Sequence, residues 1–184
     1  MKEIGINQKN VGRIAERIVA NELESRGFRV SDLNKEGTSA NADLLAAKDG
    51  KTWQIQVKGS TEDGGWWFNY GYCDEDMITN KAVKMFNRGS GFYKAEIVVL
   101  VSVKSPAQYV CVVLRLDTAE KLVQMNLDYT FRTLKKDGQP KKAGKMWGSL
   151  DYIPNTKNVA KVAALKAEQD ILKKHRDQWD IIAP

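Results

Sequence analysis

Asp43, Gln56 and Lys58 bracket a short segment that reads as two strands around a tight turn. With Asp49-Gly50 as a two-residue hairpin loop, Lys48 pairs with Lys51, and counting outward sets Asp43 directly opposite Gln56. Directly opposed side chains have Cβ atoms roughly 4.5–5.5 Å apart. Lys58 lies two residues beyond Gln56 and so shares its face. A carboxylate, an amide oxygen and an ammonium then converge. Such a group holds a hard cation and positions a water.

The surrounding elements follow from periodicity. Residues 9–27 read as an amphipathic helix, with Val11, Ile14, Ala15, Ile18, Val19 and Leu23 on one stripe and Gly27 as its stop. Glu16 falls at the border of that stripe. Phe28-Arg29-Val30 reads as a short strand and residues 33–41 as loop. In the second hairpin strand Trp53, Ile55 and Val57 face one way, and Gln54, Gln56 and Lys58 the other. Residues 77–87 read as a short helix. Ala95–Val103 is a continuous apolar run, suited to a central strand buried on both faces. Ser105-Pro106 breaks it, and Gln108–Leu116 is a further strand. Thr118 is the expected N-cap of a helix to Leu127, followed by an irregular segment to about Asn158 and an amphipathic helix over Val159–Trp179. This order predicts one mixed α/β domain, a central mixed sheet flanked by helices.

The chain has 184 residues, 42% hydrophobic and 28% charged, enough for one domain with a core. No apolar run reaches the roughly 18 residues of a membrane span. The start, Met1-Lys2-Glu3-Ile4-Gly5, lacks a secretory signal pattern, and Cys73 and Cys111 match no metal spacing. A reduced, cytoplasmic protein is expected. The net charge of +6 permits a polyanionic partner. Residues 132–145 carry Arg132, Lys135, Lys136, Lys141, Lys142 and Lys145 against Asp137 alone, and residues 157–176 add Lys157, Lys161, Lys166, Lys173, Lys174 and Arg176. These runs read either as solvated surface or as contacts to nucleic-acid phosphates.

Together these residues resemble the PD-(D/E)XK nuclease superfamily, above all its Holliday-junction-resolvase-like and restriction-endonuclease-like branches. The opening helix carries Gly12, Ala15-Glu16, Val19, Leu23, Gly27-Phe28 and Val30. The hairpin carries Ala42-Asp43-Leu44-Leu45 and Gln56-Val57-Lys58. The likeness covers residues 10–60 well, the 95–103 strand weakly, and residues 117–184 not at all. It implies a restriction-endonuclease-like core over about 10–117, with a basic C-terminal extension over about 118–184. It also implies a magnesium-dependent DNA endonuclease, with manganese as a substitute, acting as a homodimer. Asp43, Gln56 and the Val57 backbone carbonyl would bind the metal. Lys58 would orient the water or neutralise the scissile phosphate, and Glu16 would hold metal-bound water or a second metal. Two departures stand out: Gln56 replaces the usual carboxylate, which leaves room for an inactive relative, and Ala42 precedes Asp43 where the family has proline.

Each residue also has a plainer reading. Lys58 is then a solvated strand-end lysine, Asp43 a turn cap or the partner of Lys58, Glu16 an exposed helix glutamate and Gln56 a cross-strand hydrogen-bonding residue. Ser60 touches a phosphate or caps a loop. Trp66-Trp67-Phe68 pack in the core, or stack on bases. His175 reads as surface, and both cysteines as packing residues. Two rival functions remain beside the nuclease: a non-catalytic DNA-binding module, and an interaction protein using the fold as scaffold.

Overall fold

The computed structural model describes residues 10–34, 42–61, 65–69, 95–132, 138, 145–152 and 155–182. The expected helix over 77–87, together with Cys73, lies outside them.

Helix α1 spans Val11–Ser25 and buries Ala15, Ile18, Val19 and Leu23 of the predicted stripe, with Val11 and Ile14 partly buried beside them. It stops where Gly27 takes φ +83°. The Gly27 N–H donates to Glu24 O (2.9 Å) and the Phe28 N–H to Leu23 O (3.1 Å). This pair of bonds is a Schellman cap, closed by the core residues Leu23 and Phe28. The last turn is anchored by the Tyr109 hydroxyl, which donates to Glu22 Oε1 at 2.6 Å, and by Arg26, stacked over the Trp179 ring at 5.0 Å.

The main sheet has five strands in the order β1-β2-β3-β5-β6. They are β1 (Arg29–Asp32), β2 (Leu44–Lys48), β3 (Lys51–Thr61), β5 (Ile97–Ser105) and β6 (Gln108–Arg115). Only β3 and β5 run parallel, so the sheet is mixed, as expected. The β2–β3 turn has positive φ at Asp49 (50°) and Gly50 (77°), the conformation a type I′ hairpin requires. Its register pairs Lys48 with Lys51 and Leu44 with Ile55. One step further puts Asp43 opposite Gln56.

Apolar clusters cover both faces. Ile55, Val57, Ile97, Val99 and Val101 meet α1 on one face, joined by Trp179 and Ile182 from a C-terminal 3-10 turn. On the other, Val98, Leu100, Val112 and Leu114 meet Trp66, helix α2 (Leu116–Arg132) and helix α3 (Val159–Lys174). The segment from about 118 to 184, read from sequence as a basic extension, thus supplies Ala119, Leu122, Val123 and Leu172 to one cluster and Trp179 and Ile182 to the other. At Gly59 the backbone of β3 lies close against α1. A Cβ there would lie 2.7 Å from Ala15 Cβ and 2.8 Å from the Val11 carbonyl oxygen, so a side chain would lift the helix that carries Glu16.

The structure differs from the sequence reading in four elements. Helix α2 begins at Leu116 and runs to Arg132, so Thr118 is inside its first turn, and the side chain of Asp117 accepts the Thr118 N–H at 2.6 Å. The segment expected to be irregular contains β7 (Lys145–Gly148), paired antiparallel with β4 (Trp66–Asn69) in a small second sheet. Helix α3 ends at Lys174, and Asn158 caps its start by accepting the Lys161 N–H at 3.0 Å. His175 is half-buried rather than on the surface. Its ring Nδ1 lies 2.9 Å from the Ile171 carbonyl, and its own carbonyl accepts the Val113 N–H. No helix among the described residues is long and apolar enough to cross a membrane.

Candidate metal centre at the free edge of the hairpin

Strand β2 ends one residue before the site, and that ending creates it. The Ile55 carbonyl accepts the Asp43 N–H at 2.9 Å, whereas the Gln54 carbonyl accepts from Glu96 on the opposite side. Odd residues of β3 therefore bond toward β2, and even residues toward β5. At Val57 the neighbouring strand has run out, and the Asp43 carboxylate takes its place: Oδ2 accepts the Val57 N–H at 2.7 Å. The Val57 carbonyl leaves the strand on the same side. Oδ2 also accepts from Gln56 Nε2, a cross-strand contact that confirms the register read from the turn. Gln56 is 7% exposed, so this bond satisfies a polar group with little access to water.

Glu16 reaches the same carboxylate through a bridge. The amide nitrogen of Asn34 lies 3.3 Å from Asp43 Oδ1 and 3.4 Å from Glu16 Oε1. Asn34 is itself held by its N–H, which donates to Asp32 Oδ1 (3.1 Å), and by its neighbour Leu33, whose N–H donates to the Asp43 carbonyl (3.0 Å). Burial, then the charges of Asp43 and Asp32, push the Glu16 carboxyl above its ordinary value. Three carboxylates thus crowd one corner of the fold.

Lys58 follows Gln56 on the face opposite α1 and is half-buried, its side chain making no hydrogen bond or ion pair to a described residue. The structure brings Asp43, Gln56 and Glu16 into one bonded group; Lys58 stands beside it without touching it. Sequence reasoning missed Asn34 and Asp32. Asp-x-Asn after a strand signals a turn, but nothing local says which carboxylates the amide would meet.

No family model matches the chain, and no curated protein is similar to it at a significant level. Among solved structures, the bacterial homing endonuclease I-Ssp6803I is similar, with 13% identity over 95% of this chain and 91% of that one, at a TM-score of 0.47.

Ser60 is 7% exposed and its hydroxyl donates to the Thr61 carbonyl at 3.1 Å, which leaves it little to offer a phosphate. Arg132 closes α2 and Lys145 opens β7, while Lys135, Lys136, Lys141 and Lys142 lie outside the described residues. Trp66 is a core residue, 2% exposed, with its indole N–H on the Val101 carbonyl at 3.1 Å. Cys111 is fully buried and burial pushes its thiol up to about 12, so it packs rather than attacks.

Proposed function

We propose that the protein is a divalent-cation-dependent DNA endonuclease of the PD-(D/E)XK type, cytoplasmic, restriction- or junction-resolvase-like. The observation that carries this reading is the Asp43 carboxylate on the open edge of β3, bonded to Val57 and Gln56 and bridged to Glu16. Among the described residues no three His, Cys, Asp or Glu side chains are grouped around a common metal position. The donors fit magnesium nonetheless. It binds through one or two carboxylates and keeps several waters, and here Asp43, the Val57 carbonyl and the Gln56 amide oxygen, after the amide turns over, would hold it. Glu16 would hold its waters. Manganese would substitute. Bound there, the cation would supply positive charge to the phosphate and make a water acidic enough to attack.

The chain's own residues do the rest. Lys58, free of partners among the described residues, sets an ammonium beside the site to neutralise a phosphate oxygen or to orient the attacking water. Asp43 fixes the geometry through the strand that it extends. The exposed Lys166, Lys174 and Arg176 lie on or just beyond α3, which packs over the same sheet face that carries Lys58; they and the basic residues of 132–145 would contact DNA phosphates.

Plasmid and four-way-junction DNA, incubated with magnesium, manganese or EDTA, test the proposal. Metal-dependent cutting is expected, with Lys58→Ala slowed roughly a hundredfold or more while DNA is still bound. A second reading is favoured by Gln56, an amide in the usual carboxylate position that already donates to Asp43. On that reading the protein binds DNA without cutting it, and binding survives both EDTA and Lys58→Ala. Cutting both strands of a duplex calls for two sites, so we propose a homodimer. Sedimentation giving the mass of one chain at working concentration would sink it.

A further inference from the structure

We infer that Asn34 belongs to the cation site. Its amide holds Glu16 and Asp43 together through N–H groups when no cation is bound, and turns its oxygen inward when one is. The inference rests on the proposed metal centre and adds to it a residue that neither the hairpin nor the opening helix supplies.

The amide nitrogen stands within 3.4 Å of one oxygen from each carboxylate. It therefore flanks the space between the two charges, beside the place where a cation held by Asp43 with its waters on Glu16 would sit. An amide nitrogen has two hydrogens, one for each carboxylate, and lessens a repulsion that would otherwise part Glu16 from Asp43. A cation arriving there must displace the N–H groups. Half a turn about the terminal torsion of Asn34 swaps nitrogen for oxygen with little change in shape, which makes a donor to carboxylates into a ligand for a hard ion. Neither Asp nor Ala does both. The backbone of Asn34 stays fixed during the exchange, since its N–H on Asp32 and the Leu33 N–H on the Asp43 carbonyl do not involve the amide. Asn34 is exposed, which leaves its amide room to turn.

Two variants separate ligand from spacer. Asn34→Asp keeps an oxygen for the cation and loses the donors; Asn34→Ala loses both. Manganese binding to the whole protein, followed by calorimetry and by the signal of the free ion, reads the ligand role. Melting temperature in EDTA reads the spacer role. Asn34→Ala is expected to bind manganese roughly ten- to a hundredfold more weakly. Asn34→Asp is expected to bind at least as well as the parent, yet to melt lower in EDTA. If Asn34→Asp binds no better than Asn34→Ala, the amide is a donor only and the inference is overturned. The same holds if Asn34→Ala binds like the parent. Asp43→Asn is the control: should it too bind manganese unchanged, the metal centre itself is misplaced, whereas loss in Asp43→Asn without loss in Asn34→Ala removes Asn34 alone.

Discussion

Asp43→Asn is expected to fold like the parent and to have lost metal-dependent cleavage by roughly a thousandfold, whereas Asp43→Ala is expected to lose stability as well. The two outcomes part because the carboxylate has two roles. As an acceptor it completes the sheet: the Val57 N–H and the Gln56 amide both end on Oδ2. An asparagine oxygen takes both bonds, and its nitrogen can face Asn34 once that amide turns over. Alanine leaves the Val57 N–H and the nearly buried Gln56 amide without partners, at a cost of about 1–3 kcal/mol for each group that water does not reach. As an anion, by contrast, the carboxylate has no substitute. Gln56 and Asn34 are neutral, and Glu16 is already resisting ionisation in its company. Removing the one charge that touches both amides leaves a site unable to compete for a hydrated cation. Circular dichroism melts beside a plasmid-cutting assay separate the roles. Parental cutting by Asp43→Asn would move the chemistry away from this hairpin.

How much of this was legible in advance depends on the range of the interaction. The Asp49-Gly50 turn sets its register locally, so the Asp43–Gln56 pairing follows by counting. Alternation then fixes the face of Lys58, and the period of α1 fixes the side of Glu16. Asn34 is different: its partners are 18 and 9 residues away, and they meet only because β1 lies against β2 and α1 across both. The pairing of β4 with β7 is likewise invisible locally, since two four-residue strands with β5, β6 and α2 between them in sequence carry no shared pattern. The tail helix misled for another reason. Its many lysines suggest a solvated face, yet the residues that it buries are Glu168, Gln169 and Leu172. A rule that looks for apolar residues at helical spacing finds only the last of these.

Stability should fall as pH rises from 5 to 8, and Glu168→Gln should abolish much of that fall. Glu168 is 3% exposed, wedged between α3 and α2. Asn126 donates to Oε1 at 3.2 Å, while Oε2 is buried with no hydrogen-bond partner among the described residues. Beside it, Gln169 donates to the Tyr152 carbonyl, so it gives Glu168 no help. Burial pushes the carboxyl from its ordinary 4.5 up to about 7, against the smaller opposing effect of Asn126. The folded chain thus holds this proton more tightly than the unfolded chain. Below about pH 4.5 both states are protonated, and the contact has its full strength. Between 4.5 and 7 folding takes up a proton, so stability drops with rising pH. Above 7 the loss levels off at about 3 kcal/mol, roughly 6–12 °C in melting temperature for a chain of this size. Glutamine keeps the bond from Asn126 and never ionises. Its own buried amide hydrogens lower stability somewhat at every pH, so the informative quantity is the slope and not the height of the curve. Parallel melting-temperature curves for parent and variant across pH 5–8 would show that Glu168 is ionised at no great cost. A flattened curve for the variant would mean that α3, with its exposed lysines, is held against the sheet by a carboxyl that must stay protonated. Its grip would then weaken across the pH range in which the proposed hydrolysis, needing a deprotonated water, gains speed.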